Sequence, residues 1–374
     1  MLWIGVGVSK VKNIIILSNI EWKFLKQRHQ FFALNYAKKD VNVIFVESSP
    51  KRNPKLKDIP RILTRIKNQF VNKSSKRTKG IDGIKVVTPL VFPSTSSLFN
   101  YLNKFFTLSF LIKKINKQLV SGPISIICYL PSETTLQLIK KINHNICVYD
   151  CVSNFSAVNG MPKNIEYLES ELIKYSDFCM FDCDFLMKKH QEKSKKSLLV
   201  PPGVNFSDFD LNLSTKKIKK VVYFGLFSDK IDIEILQEIS KNFELDIIGE
   251  MRIQVPSLQV NKIFEPVSHN ELPSYIKNYD AIIIPYIKNE FMNGVIPAKF
   301  FECLATGLPL FVTDIPSFRE YSNLVNIINK DNVVSSMSEY DNDDKNRLLR
   351  INSARENDWE YKTKKVLDII NESF

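Results

Sequence analysis

The chain has 374 residues, of which 44% are hydrophobic and 25% charged, a composition that is typical of a folded globular protein and excludes a disordered or fibrous one. Its net charge of +12 is uneven, since residues 1–150 hold 25 Lys and Arg against 7 Asp and Glu, and the rest hold 27 against 33. This asymmetry predicts an acidic partner for the first half only, either nucleic acid or an anionic membrane surface. The apolar run in residues 1–10 is too short to span a bilayer and lacks signal-peptide features, so we expect a cytoplasmic protein.

Short β-branched apolar runs alternate with helical patterns along the whole chain, which favours parallel sheets built from βαβ units. In the first half, strands are predicted at 13–18, 41–48, 84–90, 124–130, 146–150 and 178–182. A last strand and a turn-rich linker follow at 197–212. In the second half, strands are predicted at 220–225, 245–249, 260–265, 280–286, 308–314 and 324–328. Helices are predicted between them, among them 21–39, 163–175 and 357–373.

Two series of alternating strands and helices predict an α/β protein with two doubly wound, Rossmann-like domains facing a cleft. The predicted domains are residues 1–204 and 205–354, with a C-terminal helix at 355–374 that packs back on the first domain. Ligands of such sheets bind beyond the carboxyl ends of the strands, so the predicted site lies in the cleft at those ends.

Two cysteine pairs, in "CVYDC" (147–151) and "CMFDC" (179–183), resemble paired metal ligands. Structural zinc sites usually have the tighter CxxC spacing on turns, whereas these pairs lie in apolar runs that are typical of strands. Residues i and i+4 of a strand share a face, so we interpret the cysteines as core residues. No metal site is predicted.

The segment "NGVIPAKFFECLATGLPLFVTD" (293–314) places Lys299 and Glu302 on a predicted helix that begins at 294–298. One interpretation is a solvated ion pair on a helix surface, worth tenths of a kcal/mol. The other is an anion site, because a helix N-terminus offers unpaired N–H groups and Lys299 adds positive charge for a diphosphate. Glu302 could then accept hydrogen bonds from ribose hydroxyls.

Residues at three further strand ends favour the interpretation of this segment as an anion site. Gly225 follows a strand and precedes a helix, where its backbone could approach a phosphate, and Lys230 lies nearby. Glu265 and Tyr286 end two other strands. Together these residues predict a pocket for a nucleotide diphosphate at one edge of the second sheet.

Several segments resemble those of one enzyme family, and they follow one another along the chain in the same order as in that family. "LPSYIKNYDAIIIPY" and "NGVIPAKFFECLATGLPLFVTD" resemble the donor-binding half of bacterial GT-B glycosyltransferases. "WKFLKQRHQFFALNYAKKDVNVIFVES" and "VYDCVSNFSAV" resemble the N-terminal half of a branch with teichuronic-acid-type transferases and the xanthan-type membrane-associated glucuronosyltransferase. The resemblance spans roughly residues 13–321. It implies that the second domain binds the nucleotide sugar and the first binds the acceptor.

The resemblance also implies residue roles. Lys299 would contact the donor diphosphate, Glu302 the ribose, and Tyr286 and Glu265 would line the nucleotide pocket. Asp150 matches the strand-end Asp that acts as catalytic base in the xanthan-type enzymes. A carboxylate that removes the acceptor hydroxyl proton suits an inverting transfer, and a turn-capping Asp is the alternative.

The chain departs from the family pattern at three positions. Many retaining GT-B enzymes carry two Glu residues in the helix of Glu302, and Gly294 occupies the earlier position. The Arg that follows the strand-end glycine is Leu226 here, and "SNIEW" replaces the Gly-Gly loop after the first strand. These losses favour the inverting mechanism. The resemblance implies a nucleotide-sugar co-substrate, with UDP-sugar as the expected donor, and no metal cofactor.

The first domain supplies two further predictions. Gln27 and Arg28, at the start of its first helix, could contact the acceptor, and an exposed basic turn is the alternative. Segments 58–71 and 98–119 pair apolar faces with Lys and Arg, which is typical of helices on anionic lipid and also of ordinary helices with a solvated basic face. We expect peripheral attachment to the inner face of the cell membrane and a glycan or lipid-linked glycan acceptor.

Other functions remain as alternatives. A GT-B sugar-nucleotide epimerase would use the same two-domain cleft, and a non-catalytic nucleotide-binding subunit would keep the pocket without the reaction. Nucleic-acid binding is not expected, because the sequence has neither a recognition motif nor surface platforms that combine aromatic and basic residues.

Overall fold

The protein was analysed as a computed structural model that describes residues 11–23, 26–48, 83–92, 97–215, 217–341 and 344–374. These residues form two compact units. The first contains the described residues up to Asp182, together with Leu186–Val200 and Thr363–Phe374. The second contains the described residues of Cys183–Phe185 and Pro201–Lys362. The chain crosses from the first unit to the second mainly at Pro201, close to the predicted domain boundary at 204.

The first unit contains a seven-stranded sheet whose order is β3-β2-β1-β4-β5-β6-β7. Every neighbouring pair is parallel. Its strands are β1 (Asn13–Leu17), β2 (Asn42–Val46), β3 (Ile84–Val87), β4 (Ile124–Cys128), β5 (Ile146–Cys151), β6 (Phe178–Phe181) and β7 (Ser197–Leu199). The strand order reverses between β1 and β4, which is the doubly wound arrangement that the sequence predicted.

The helices of the first half connect these strands. They are α1 (Arg28–Ala37), α2 (Ser97–Leu102), a π-helical turn (Asn103–Thr107), α3 (Leu108–Asn116), α4 (Glu133–Lys141), α5 (Ile165–Tyr175) and α6 (Asp184–His190). Short 3₁₀ turns lie at Phe155–Ala157 and Gln191–Lys193. The helix predicted from residue 21 begins later, at Arg28, because the Gln27 N–H bonds to Gln30 Oε1 and fixes the helix start there.

The second unit contains a six-stranded parallel sheet of order β10-β9-β8-β11-β12-β13. Its strands are β8 (Lys220–Phe224), β9 (Glu244–Ile248), β10 (Lys262–Phe264), β11 (Ala281–Ile284), β12 (Leu310–Thr313) and β13 (Asn326–Ile328). The remaining helices are α7 (Phe206–Phe209), α8 (Ile233–Asn242), α9 (Leu272–Ile276), α10 (Phe300–Ala305), α11 (Pro316–Arg319), α12 (Val333–Ser338), α13 (Asp344–Glu356) and α14 (Trp359–Glu372). Met292–Gly294 forms a 3₁₀ turn.

The central strands are buried along their whole length, as parallel strands covered by helices on both faces require. This burial explains why the strand segments are continuous apolar runs without polar alternation. Each predicted strand has an observed counterpart. Most are one to three residues shorter than predicted, whereas β5 extends one residue further, to Cys151, and β9 keeps its predicted length but lies one residue earlier, at Glu244–Ile248. Among the helices of the described ranges, none is long and apolar enough to cross a membrane.

Two glycines at the carboxyl edge of the second sheet allow a close backbone approach. Gly225 follows β8 with φ +116°, and Gly249 follows β9 with φ +144°. A Cβ atom on Gly249 would lie 2.1 Å from the carbonyl oxygen of Gly225, far inside van der Waals contact. The backbone at Gly225 can therefore pass this close only because residue 249 has no side chain. The sequence analysis did not single out Gly249.

We expect Gly249→Ala to destabilise its unit more than Gly160→Ala does, by about 1–3 kcal/mol, because the added methyl must displace backbone. Gly160 is the matched control, since it also has positive φ (+84°) but has open space around its Cβ position. Equilibrium urea unfolding of each variant measures the difference. Equal losses at the two positions would contradict the packing argument and leave only the cost of the positive φ.

Candidate functional site

In the second unit, the strand order reverses between β8 and β11, and two predicted site residues follow these neighbouring strands. Gly225 comes directly after β8, and Tyr286 lies two residues beyond β11. Tyr286 is half-buried against the core of the unit, and burial raises the pKa of its hydroxyl. The carboxyl ends of these two strands thus form the crevice where ligands of doubly wound sheets bind.

Lys299 reaches this crevice from the start of α10. Its ammonium donates to the carbonyl oxygen of Phe224 and lies 4.0 Å from the centre of the Tyr223 ring. A Cβ atom on Gly225 would come within 3.2 Å of Lys299 Nζ, so the glycine leaves space for the cation. Burial lowers the pKa of Lys299 to about 8. The electrostatic interactions of its ammonium with Cys303 and Glu302 oppose this fall.

Glu302 lies in the first turn of α10 and is only 9% exposed. Its carboxylate faces His269, whose Nε2 is 3.8 Å from Glu302 Oε1, and the His269 ring packs edge-on against Phe209. Burial raises the pKa of Glu302 to about 8, and Lys299 opposes that rise. Because Glu302 is buried and Lys299 is half-buried, the two residues do not form the solvated surface pair considered from the sequence.

The helix that carries both residues is shorter than predicted. It begins at Phe300, after the 3₁₀ turn Met292–Gly294, and not at 294–298. Pro297 disfavours helical backbone at the residue before it, which separates the turn from the helix. Lys299 is therefore the residue that precedes the first helical turn and not a member of it.

The other two predicted donor residues are exposed. The carbonyl oxygen of Lys230 accepts from the N–H of Ile287, the residue after Tyr286, and the Lys230 ammonium lies 4.5 Å from the centre of the Phe291 ring. Glu265 is exposed after β10, the edge strand, and β9 separates that strand from β8. The structure thus brings Gly225, Tyr286 and Lys299 together near Glu302, and places Glu265 at the sheet edge.

In the first unit, Asp150 is the penultimate residue of the buried strand β5 and forms an ion pair with Arg28. Arg28 Nε lies 2.7 Å from Asp150 Oδ2, and Arg28 Nη1 donates to the Val200 carbonyl oxygen at 2.6 Å. Asp150 is 0% exposed and Arg28 7%. Burial opposes the charge of Arg28, but the Asp150 carboxylate outweighs that cost and raises the pKa of the guanidinium.

Residues that the sequence analysis did not assign surround this pair. The His29 ring lies 3.6 Å, centre to centre, from the ring of Tyr129, which follows β4. Ser18, after β1, has its hydroxyl 3.2 Å from His29 Nδ1. The only sequence signal for them was their position at strand ends and beside Arg28. Gln27 is half-buried and caps α1.

The burial of Arg28 and Asp150 affects the role predicted for each residue, which is acceptor contact for Arg28 and catalytic base for Asp150. Arg28 is not the exposed basic turn considered from the sequence, since its guanidinium lies inside the unit. The Asp150 carboxylate is at the carboxyl end of its strand, as predicted, but has no exposed surface from which to accept a proton. An acceptor hydroxyl would reach it only after neighbouring side chains move.

The two parallel-sheet units have the fold of GT-B glycosyltransferases. Among solved structures, sucrose-phosphate synthase from Thermosynechococcus elongatus superposes with a TM-score of 0.66 at 13% identity, over 96% of this chain and 98% of that one. A glycosyltransferase from Rickettsia africae gives 0.63 at 15% identity, over 97% and 98%. An Escherichia coli trehalose-6-phosphate synthase bound with UDP-2-fluoro glucose gives 0.61 at 11% identity, over 96% and 99%.

In sequence, the chain is similar to TuaH of Bacillus subtilis (strain 168), an inferred teichuronic acid biosynthesis glycosyltransferase. The two are 24% identical over 201 residues, which cover 46% of this chain and 51% of TuaH. The match thus spans about half the length of that relative. No family model matches the sequence. The predicted resemblance to GT-B and teichuronic-acid-type transferases is confirmed.

We expect Arg28→Ala to destabilise the first unit by about 3–5 kcal/mol, because it leaves the Asp150 carboxylate buried without its partner. The double variant Arg28→Met, Asp150→Asn should recover most of the loss, since no charge then stays uncompensated. Urea unfolding measures both. Arg319→Ala serves as control, because the Arg319–Asp314 pair is at the surface and should contribute little. An Arg28→Ala variant as stable as that control would contradict the neutralising role of Arg28.

Proposed function

We propose that this protein is a glycosyltransferase that moves a sugar from a nucleotide-diphosphate donor to a glycan acceptor. The observation that carries the proposal is the position of Lys299, whose cation lies beside Gly225 where the second sheet reverses its strand order. A phosphate there could approach backbone at Gly225, where no side chain intervenes, while Lys299 offsets its charge. The GT-B fold and the similarity to TuaH support the same activity.

The donor that fits best is a UDP-sugar. Glu302, one turn beyond Lys299, would accept hydrogen bonds from ribose hydroxyls, and Tyr286 would line the nucleotide pocket. The similar E. coli trehalose-6-phosphate synthase structure is bound with UDP-2-fluoro glucose, which supports UDP as the nucleotide. Lys230, whose backbone lies beside Tyr286, would meet the diphosphate or sugar. Glu265 would contribute only if the donor extends to the sheet edge.

Asp150 remains our proposal for the catalytic base of an inverting transfer. Its place at a strand end of the first unit supports that role, whereas its burial with Arg28 supports a structural one. Gln27 and Arg28 would line the acceptor side. The reaction needs no metal in this proposal, because Lys299 offsets the leaving diphosphate. An epimerase or a non-catalytic subunit would bind the same donor, and only a transfer assay with an acceptor separates them.

A surface of the first unit supports attachment to an anionic membrane. Along the helical segment Ser97–Asn116, one side carries large exposed apolar residues with exposed fractions of 54–76%: Leu98, Tyr101, Phe105, Phe106 and Phe110. The opposite side buries Leu108, Leu111 and Ile115 in the unit. Exposed lysines flank the aromatic side, at 104, 113, 114 and 117. The other predicted membrane segment, 58–71, lies outside the described residues.

This combination is typical of interfacial helices. Aromatic side chains insert at the headgroup level, and lysines attract anionic lipid at about 1 kcal/mol each. A patch of this size is uncommon on a protein that stays free in solution. We infer that the protein works at the inner face of the cell membrane on a lipid-linked acceptor, with the nucleotide sugar taken from solution.

We expect the affinity for UDP to be constant at and below pH 7.5 and to fall above pH 8, by up to about tenfold per pH unit. The sign follows from the pKa of about 8 for Lys299 in the free protein. Below that pH the ammonium is already charged, whereas above it binding must first take up a proton. Titration calorimetry of UDP from pH 6.5 to 9.5 measures the profile.

Lys299→Arg is the matched control, because a guanidinium stays charged over this range and should keep the affinity flat. Lys299→Met should bind weakly at every pH, and Glu302→Gln should keep the fall if Lys299 causes it. A thermal-shift screen with UDP-sugars would then name the donor. Unchanged UDP affinity in Lys299→Met would contradict the assignment of Lys299 to the diphosphate.

We expect the protein to sediment with vesicles of 30 mol% phosphatidylglycerol in phosphatidylcholine and to release from them in 1 M salt. The double variant Phe106→Ser, Phe110→Ser should lose most of this binding, because it removes two of the most exposed rings of the aromatic side. Tyr167→Ser is the matched control, since Tyr167 is equally exposed on α5. If the wild type binds no vesicles and instead self-associates through these rings, the lipid assignment is wrong.

A further inference from the structure

Three buried side chains in the first unit bring different ligand atoms to one point. Cys151 ends β5, Glu169 lies in the middle of α5, and His190 ends α6. Their Sγ, carboxylate and imidazole atoms all lie within 4.8 Å of one another. The three residues are 0%, 1% and 6% exposed, so none of the three ligand groups is at the surface.

The separations suit a shared tetrahedral ion. Cys151 Sγ is 3.7 Å from Glu169 Oε1, and His190 Nε2 is 3.6 Å from Glu169 Oε2. With zinc bonds of about 2.3 Å to sulfur and 2.0–2.1 Å to nitrogen or oxygen, neighbouring ligands of a tetrahedron lie about 3.5 Å apart. The Cys151 thiol donates a weak hydrogen bond to Glu169 Oε1, whereas the 3.6 Å between His190 Nε2 and Glu169 Oε2 is too long for one. Both separations are close to that ligand spacing, with one carboxylate oxygen on the side of each partner.

His190 gives independent evidence for a ligand. Among the described residues, neither ring nitrogen of this buried side chain has a hydrogen-bond partner. A buried donor or acceptor without a partner is unfavourable, and native structures usually avoid it. The ring stacks on Phe181 with an interplanar angle of 9°, so packing holds the imidazole in place.

The surrounding groups orient the carboxylate. Tyr149 donates its hydroxyl to Glu169 Oε1 at 2.6 Å, as outer-shell partners of metal ligands do. The Ser153 carbonyl oxygen lies 3.8 Å from Cys151 Sγ and could complete the coordination as a fourth ligand. Sulfur, imidazole and carboxylate together are the ligand set that zinc accepts, whereas Mg²⁺ and Ca²⁺ prefer oxygen alone.

We propose that Cys151, Glu169 and His190 bind one structural divalent metal ion, with zinc as the best match. Binding would release the thiol proton of Cys151 and join α5 and α6 to the end of β5. Asp150 precedes Cys151 and faces the other side of the sheet, so the ion would stabilise the strand end without touching the proposed reaction. Donor binding would stay independent of the metal.

This site departs from the sequence interpretation of the cysteines as core residues alone. That interpretation considered only the pairs within "CVYDC" and "CMFDC". The inferred ligands take one cysteine from the first pair and two partners from separate helices. Cys147, four residues earlier in β5, lies away from this cluster, with its Sγ 3.8 Å from Ser176 Oγ.

The test begins with the wild-type full chain, purified without a chelator or an affinity metal. We expect about one zinc per chain by inductively coupled plasma mass spectrometry. After removal of zinc with a chelator, the melting temperature should fall, and added Co²⁺ should restore it. Bound Co²⁺ should show visible bands of tetrahedral coordination and a near-ultraviolet thiolate-to-cobalt band.

Variants then locate the site. Cys151→Ser should abolish the thiolate-to-cobalt band, and His190→Gln should weaken Co²⁺ binding by at least tenfold. Cys147→Ser is the matched control, because it removes a buried thiol from the same strand and should keep the band. The wild-type measurements need no variant, so the proposal stays testable if a variant fails to fold.

Two results would overturn the proposal. One is a folded wild-type chain that contains no zinc and takes up neither Zn²⁺ nor Co²⁺. The cluster would then be a hydrogen-bonded Tyr149–Glu169 pair beside a neutral histidine. The other is a thiolate-to-cobalt band that persists in Cys151→Ser and disappears in Cys147→Ser, which would place the metal elsewhere.

Discussion

Parallel pairing is the constraint on which the rest of this structure depends. Because every described strand of both sheets runs in the same direction, each strand is joined to the next by a crossover connection, usually through a helix, and all strand carboxyl ends of a sheet open at one edge. The strand order then reverses once per sheet, between β1 and β4 and between β8 and β11. Residues far apart in sequence, such as Gly225 and Tyr286, become neighbours at those edges. The candidate site follows from this geometry before any catalytic chemistry is considered.

The two units treat buried charge differently. In the first, Arg28 Nε and Asp150 Oδ2 lie 2.7 Å apart, so the two buried charges neutralise each other. In the second, burial pushes the pKa of Lys299 down and that of Glu302 up, each to about 8. Neither side chain has a strong opposite charge at hydrogen-bond distance among the described residues. Buried ionisable groups with shifted pKa values are stabilised most by a ligand that brings charge and hydrogen bonds. A nucleotide diphosphate would supply both.

The inferred metal site and the aromatic surface fit the same division of roles. The first unit carries a buried ion pair, a proposed ion that joins two helices to β5, and exposed rings flanked by lysines on Ser97–Asn116. These features would make it a rigid, membrane-facing support for an acceptor. The second unit contains the buried ionisable groups Lys299 and Glu302 and the glycines Gly225 and Gly249, which under our proposal would bind a soluble donor. A transferase that joins a soluble donor to a membrane-bound acceptor would need both.

The sequence alone determined the strand positions and the parallel α/β class, and it placed Lys299 among the candidate site residues, because these depend on local hydrophobic runs and on residues that follow strands. Tertiary structure decided the rest. The Arg28–Asp150 pair joins residues 122 positions apart, and Glu265 falls at the edge because β10 is the outermost strand. The cluster of Cys151, Glu169 and His190 likewise depends on how two helices pack on β5. Strand order and helix packing are collective outcomes of burying many side chains together, and no local pattern encodes which distant residues they bring into contact.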